Sequence, residues 1–453
     1  MSNGFIGADV VQLRDLAKAM RTASRNLQAQ LNSFNAGVAG AQWPGPDAVQ
    51  FSADWKSSLS PALRHAVTFL HQAATDLARN ADEQESASSA GTGFASSAAG
   101  KGVGASAGTQ PRPADLTGKS PSQIQQWWAG LTPAQQQGFI RDYPVEAGNT
   151  NGIPFAARVE ANRANARDRL DSFPAHDPEP VLNPLLMDIS AGQRFSEEHA
   201  AWAERRAARA YLHGVVEGRI QLAAYDPARN SIVEMIGTYS QDTSTVITYV
   251  PGTTTNEASF YGGGPQGISN HLVQSDRSGG SVAFVYKGSE FPDGGLIEAF
   301  AVEAKSDDFV AGSSPVLAEF QAAVELERPR GAQTVGIGHS WGLRNLTGSE
   351  NNGAHYDRVI ALSGAALPPG WSPDPGTAYS SYTYPDLLLS LERAGVVGAN
   401  YPMNEPAFDR HLYEPPGGME PGDAYSIDNH VLIATAGPEN ETALRDVRKE
   451  IYG

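Results

Sequence analysis

At 453 residues the chain is too long for one ordinary compact core, so two or three folded units are expected. A formal net charge of −17 argues against nucleic acid and anionic membrane surfaces as partners, and no stretch approaches the apolar length of a spanning helix. With no cysteine, disulfides, thiol catalysis and most structural zinc sites are excluded.

Met1-Ser2-Asn3-Gly4-Phe5 lacks the basic start and apolar core of a secretory leader. From residue 8 to about 36, Val10, Leu13, Leu16, Met20, Ala23, Leu27, Leu31 and Phe34 recur at spacings of three and four, the stripe of an amphipathic helix. After Trp43-Pro44-Gly45-Pro46, a second helical stripe runs from Phe51 through Trp55, Leu59 and Phe69 to Leu77, with a kink predicted at Pro61. The two form a helical hairpin over 1–85. Neither helix can bury its stripe alone, so residues 8–80 are expected to pair with a helical-hairpin partner or a second copy. Trp43-Pro44-Gly45 at the tip resembles the Trp-x-Gly family of small helical hairpins, substrates of type VII secretion. The resemblance implies a four-helix dimer and a secreted or cell-surface protein. The family's tyrosine, four residues ahead of an acidic residue, has no counterpart at Arg79-Asn80-Ala81-Asp82-Glu83, which keeps a cytoplasmic location open.

Residues 86–117, rich in Ser, Gly and Ala, read as a flexible linker. A helical preamble over 118–215 follows. Ser120-Pro121-Ser122-Gln123 and Thr132-Pro133-Ala134-Gln135 each combine a capping hydroxyl, a first-turn proline and a glutamine that reaches back, so each opens a short helix. Further helices are predicted from Phe155 to about Leu170 and from Ser196 to about Leu212; Arg205, Arg206 and Arg209 on the latter read as a solvated face.

From Ile220 the period changes to that of strands. Runs at 220–225 and 231–236 suggest a hairpin, followed by short apolar runs at 245–250, 281–286, 334–338, 358–362 and 378–384. With helical stretches such as 314–325 between them, they predict an α/β unit with a mainly parallel sheet over 118–453. Gly262, Gly264 and Gly267 match a dinucleotide-loop spacing, but their distance from the strand and Pro265 make the run an ordinary loop.

Gly338-His339-Ser340-Trp341-Gly342 follows the apolar run at 334–337, the order of strand, Gly, Ser, Gly and helix that a nucleophile elbow requires. The elbow makes Ser340 a candidate nucleophile and the chain a candidate serine hydrolase. In this architecture the partners follow as acid and then histidine. Of the histidines beyond Ser340, His355 precedes any plausible acid, His411 follows Phe408-Asp409-Arg410 in a loop or helix, and His430 sits in a polar loop before the final helix at 442–451. His430 is the favoured base. Asp386, ending the strand at 378–384, is the favoured acid, with Glu405 and Asp409 as alternatives. Oxyanion donors are expected from the backbone of Trp341 and from Thr253 or Thr254, in the loop after the strand at 245–250. No metal or cofactor is called for.

Residues 118–453 resemble an α/β-hydrolase family common in actinobacteria. The likeness rests on Trp127-Trp128-Ala129-Gly130-Leu131-Thr132-Pro133, Val250-Pro251-Gly252-Thr253 and the Gly-His-Ser-aromatic-Gly elbow. It implies a hydrolase acting on a small-molecule or lipid ester. Where that family has small residues after the elbow, this chain has Leu343 and Arg344, which are expected either to crowd the helix–sheet contact or to alter the elbow's angle. Trp371, Tyr379, Tyr382, Tyr401, Phe408 and Tyr413 are candidates either for an acyl pocket or for core, and 367–371 for a lid or an ordered loop. The alternative function is a hydrolase-fold scaffold without turnover, whose hairpin binds a partner.

Overall fold

The computed structural model describes Lys18 and residues 110–181, 189–292, 307–393, 400–418 and 426–453. The chain divides into two units, Met1–Ser106 and Ala107–Gly453. Apart from Lys18, which is helical, the hairpin expected over 1–85 lies outside the described residues, as does the linker up to residue 109. No described helix is long and apolar enough to cross a membrane.

The second unit opens with helices α1 (Pro121–Ala129), α2 (Pro133–Asp142), α3 (Pro144–Asn149), α4 (Phe155–Asp171) and α5 (Ile189–Val216). Both predicted capping boxes form, with Gln123 and Gln135 returning their side chains to the backbone N–H of Ser120 and Thr132. The tryptophan pair belongs to a small core of its own: Trp127 meets Phe139 edge-on at 5.3 Å, and Trp128 is buried with Ile124, Phe139 and Ile140. Asn149 exchanges hydrogen bonds with the backbone of Tyr225 at 2.7 and 3.0 Å, covering part of an open sheet edge. Arg205 and Arg209 are not merely solvated. Arg205 grips Asp177 through two bonds of 2.8 and 3.0 Å and Arg209 reaches the Pro174 carbonyl, pinning the segment before α5.

Eight strands follow: β1 (Gln221–Asp226), β2 (Ser231–Ile236), β3 (Thr245–Val250), β4 (Ser281–Lys287), β5 (Gln333–His339), β6 (Arg358–Leu362), β7 (Ala378–Thr383) and β8 (Phe408–Leu412). Their order is β1-β2-β4-β3-β5-β6-β7-β8, with β2 antiparallel to both neighbours and every other pairing parallel. This is the order of the α/β-hydrolase fold. The remaining helices are α6 (Glu257–Tyr261), α7 (Gln266–Ser275), α8 (Asp307–Glu327), α9 (Trp341–Glu350), α10 (Leu387–Arg393), α11 (Ile427–Leu432) and α12 (Glu441–Tyr452).

Successive strand residues point to opposite faces, so each central strand feeds two cores. Val246, Phe284 and Val359 join Phe155, Phe320, Trp341 and Leu346 on one face. Ile247, Val285 and Ile360 join Leu272, Leu444, Val447 and Ile451 on the other.

Two expectations need correction. The segment around His411 is neither loop nor helix but edge strand β8, and His430 lies on a short helix, α11, instead of a loop. The run from Gly262 is a loop as expected, a turn between α6 and α7, except that Gly267 already lies inside α7.

Glu350, at the end of α9, accepts hydrogen bonds from Trp371 Nε1 at 2.8 Å and the Tyr379 hydroxyl at 2.7 Å, yet burial pushes its carboxyl up to about 7. A carboxyl raised in the folded state stabilises that state fully below its unfolded value near 4.5, and the contribution is lost as pH rises through about 7. Glu350→Gln removes this titration. Its unfolding free energy, read from urea titrations, should fall less than that of wild type between pH 5 and 8, by on the order of 3 kcal/mol at most. Parallel pH curves for the two chains would refute the assignment.

Candidate active site

Strand β5 runs buried to its end, and the chain reverses at Ser340 into α9. Ser340 has φ 53° and ψ −128°, a left-handed conformation that costs a non-glycine residue about 1–3 kcal/mol. Its neighbours hold it there: the Ser340 N–H donates to the Leu362 carbonyl, and its carbonyl accepts from Ala365 and Leu343. The flanking glycines are demanded by contact. A Cβ on Gly338 would sit 2.4 Å from Leu343 Cα, and one on Gly342 would sit 2.1 Å from the Val250 carbonyl oxygen. Gly342→Ala should therefore wedge β3 away from the elbow and destabilise the domain by about 3 kcal/mol or more. An unchanged urea midpoint would show that the close approach does not exist in solution.

The crowding expected from Leu343 and Arg344 does not arise. Leu343 fills the space left by Gly364, whose added Cβ would lie 2.3 Å from Leu343 Cδ2. Arg344 turns away from the sheet, donating to the Ala366 and Leu367 carbonyls at 2.7 and 3.2 Å and pairing with Asp307.

Asp386 follows β7 and is 1% exposed. Its Oδ1 accepts the Leu389 N–H at 2.7 Å, and its Oδ2 lies 3.0 Å from His430 Nδ1. A carboxylate oxygen can only accept, so Nδ1 carries the proton and Nε2 is left as the basic nitrogen. His430 is 4% exposed. Helix α11 is capped by Ser426, which accepts the Asn429 N–H at 3.0 Å, and Asn429 Nδ2 donates to the Pro385 carbonyl at 2.9 Å. That bond fastens the histidine's helix to the loop that carries Asp386. On the other side, His339 Nε2 lies 2.9 Å from the His430 carbonyl oxygen, and the two imidazole centroids are 5.1 Å apart. Among the hydrogen bonds between described residues, His430 is joined to Asp386 and to His339.

The other candidates stand elsewhere. His411 stacks on Tyr382 at 4.5 Å and pairs with exposed Asp409 at 3.4 Å, while Glu405 accepts from the Ala407 N–H. His355 precedes β6, at the opposite end of the sheet from Ser340, and bonds Asp374 at 3.1 Å.

The loop after β3 lies against the elbow, since a Cβ on Gly252 would be 3.1 Å from Ser340 Cβ. The Thr254 N–H is committed to the Pro292 carbonyl at 2.7 Å, which leaves the Thr253 N–H as the candidate donor of the two. Trp341 occupies the first position of α9, where an N–H has no acceptor within the helix. Its ring is buried against Phe291 at 4.9 Å.

The aromatic residues considered for a pocket are mostly core. Trp371, Tyr379 and Phe408 pack together with centroids 5.2–5.9 Å apart, and the hydroxyls of Tyr382 and Tyr413 are tied to Glu450 and Asp446. Trp371 is also bonded to Glu350, making 367–371 an anchored loop instead of a lid. Among the described residues no cluster of three or more His, Asp or Glu side chains is arranged to hold a metal.

No family model matches this sequence. Uncharacterized proteins from two strains of Mycobacterium tuberculosis are 38% identical over 82 residues, 17% of this chain. The match spans only 12% of the length of these curated relatives. Among solved structures, the chain is similar to a dienelactone hydrolase-like promiscuous phosphotriesterase from metagenomic libraries, with 15% identity over 51% of this chain and 96% of that one (TM-score 0.31). It is also similar to an esterase B from Lactobacillus rhamnosis, with 11% identity over 58% of this chain and 96% of that one (TM-score 0.32). The α/β-hydrolase fold assigned to residues 107–453 is carried by the strand order and its single reversed strand.

Proposed function

We propose that the second unit is a serine hydrolase acting on carboxylic esters, with Ser340 as nucleophile, His430 as general base and acid, and Asp386 as the orienting acid. The observation that carries the reading is the buried Asp386–His430 bond of 3.0 Å beside a serine held at φ 53°. In the first step Ser340 Oγ bonds to the ester carbonyl carbon while His430 Nε2 takes its proton. The oxyanion is met by the backbone N–H groups of Trp341 and Thr253. As the tetrahedral adduct collapses, the bond to the leaving alkoxide breaks and His430 returns the proton to it. Water, deprotonated by the same imidazole, then releases the acid and regenerates Ser340.

The test is treatment of the full chain with a fluorophosphonate probe, followed by mass mapping of the adduct. Modification at Ser340 is the expected result. An unmodified Ser340 in folded protein would reject the reading in favour of a non-catalytic scaffold.

A further inference from the structure

The residue inside the elbow that the proposed mechanism leaves unused is His339. It ends β5, directly before Ser340, and its Nε2 lies 2.9 Å from the backbone carbonyl oxygen of His430. A carbonyl can only accept, so Nε2 is the protonated nitrogen of this ring. The opposite edge of the ring faces the loop after β3, where a Cβ on Gly252 would lie 3.3 Å from His339 Nδ1. One side chain thus touches the loop assigned to the oxyanion donor and the helix that carries the base.

Helix α11 needs such a tether. It spans six residues, too few to be stable alone, and it turns Ile427, Asp428 and Val431 to solvent. Its inward residues, Asn429 and His430, bond to the Pro385 carbonyl and to Asp386. Those contacts fix α11 relative to the acid but not relative to the nucleophile. Among hydrogen bonds between described residues, the one from His339 is what joins α11 to β5. It arrives at the carbonyl of His430 itself, from the residue adjoining Ser340.

We infer that His339 is a positioning residue whose Nε2–H, bonded to the His430 carbonyl, sets the placement of the base relative to the Ser340 hydroxyl. The inference rests on the assignment of Ser340 and His430 proposed above. Burial, with a contribution from neighbouring His430, pushes the His339 imidazole down to about 3, so the ring stays neutral, with Nε2 the nitrogen that bears the hydrogen facing the carbonyl.

Two substitutions that differ by one methylene test this. The amide of His339→Gln can place a donor where Nε2 stood, whereas the shorter amide of His339→Asn falls short of the His430 carbonyl. With a fluorophosphonate probe, His339→Asn should lower the inactivation rate constant about 10- to 100-fold, the scale of a small misplacement of a reacting group, with probe affinity within about 2-fold. His339→Gln should recover most of the rate. Hydrogen exchange over residues 426–433, which needs no activity, should rise in the Asn chain and return towards wild type in the Gln chain. Asn at the wild-type rate, or Gln behaving like Asn, overturns the inference while leaving the hydrolase assignment intact. If the wild type itself takes up no probe, the hydrolase assignment fails, and unchanged exchange in His339→Asn would then overturn the tether separately.

Discussion

Ser340→Ala is expected to take up no fluorophosphonate and to lower ester hydrolysis by about 10⁶-fold, the scale seen when a triad nucleophile is removed. The loss should come from chemistry and not from unfolding. What Ser340 gives the fold is backbone: its N–H to Leu362, and its carbonyl to Ala365 and Leu343. Alanine keeps all three bonds and bears the same left-handed strain at φ 53°. Stability within about 1 kcal/mol of wild type is therefore expected. Paired measurements of ester turnover and urea midpoint check both halves. Retained turnover in the alanine chain would remove Ser340 from the mechanism.

Asp386→Asn is expected to cost about 10⁴-fold in the acylation rate, because the amide enforces the wrong tautomer of His430. The geometry leaves no escape by rotation. Asp386 Oδ1 accepts the Leu389 N–H at 2.7 Å, so asparagine must keep its oxygen on that side or set two donors against each other. Its NH2 group then faces His430 Nδ1, which has to become the acceptor and move its proton to Nε2. The nitrogen needed to deprotonate Ser340 is thereby occupied. A labelling rate within tenfold of wild type would mean that Asp386 does not orient the base, and Asp386→Ala would then be expected to behave similarly.

The sheet was legible because its central strands are buried on both faces. Val246, Ile247, Phe284, Val285 and Ile337 form apolar runs that need no knowledge of their neighbours. The helix starts at Ser120 and Thr132 were equally local, since a cap, a proline and a glutamine within four residues complete the motif. Strand β8 escaped notice for the converse reason. It is an edge strand in which Asp409, Arg410 and Leu412 face solvent, so Phe408-Asp409-Arg410-His411-Leu412 carries no apolar run. Helix α11 was missed because much of what holds its six residues is distant in sequence, at Pro385, Asp386 and His339.

Within the candidate site, the elbow pentapeptide and the order of acid and histidine could be read directly, because the turn at Ser340 is dictated by glycines two positions either side. The choice of Thr253 over Thr254 could not, since it depends on a carbonyl at Pro292 taking the Thr254 N–H. Nor could the fate of Trp371, Tyr379 and Phe408, whose apolar character suits a pocket or a core equally until the packing of the sheet commits them to the core. The sequence by itself determined the fold class and the nucleophile candidate, both written in short-range patterns of burial and turn chemistry. Only the tertiary structure decided which backbone N–H groups stay available, which imidazole meets Asp386 and what His339 holds. Each of those is a contact between segments tens of residues apart, and no local pattern encodes it.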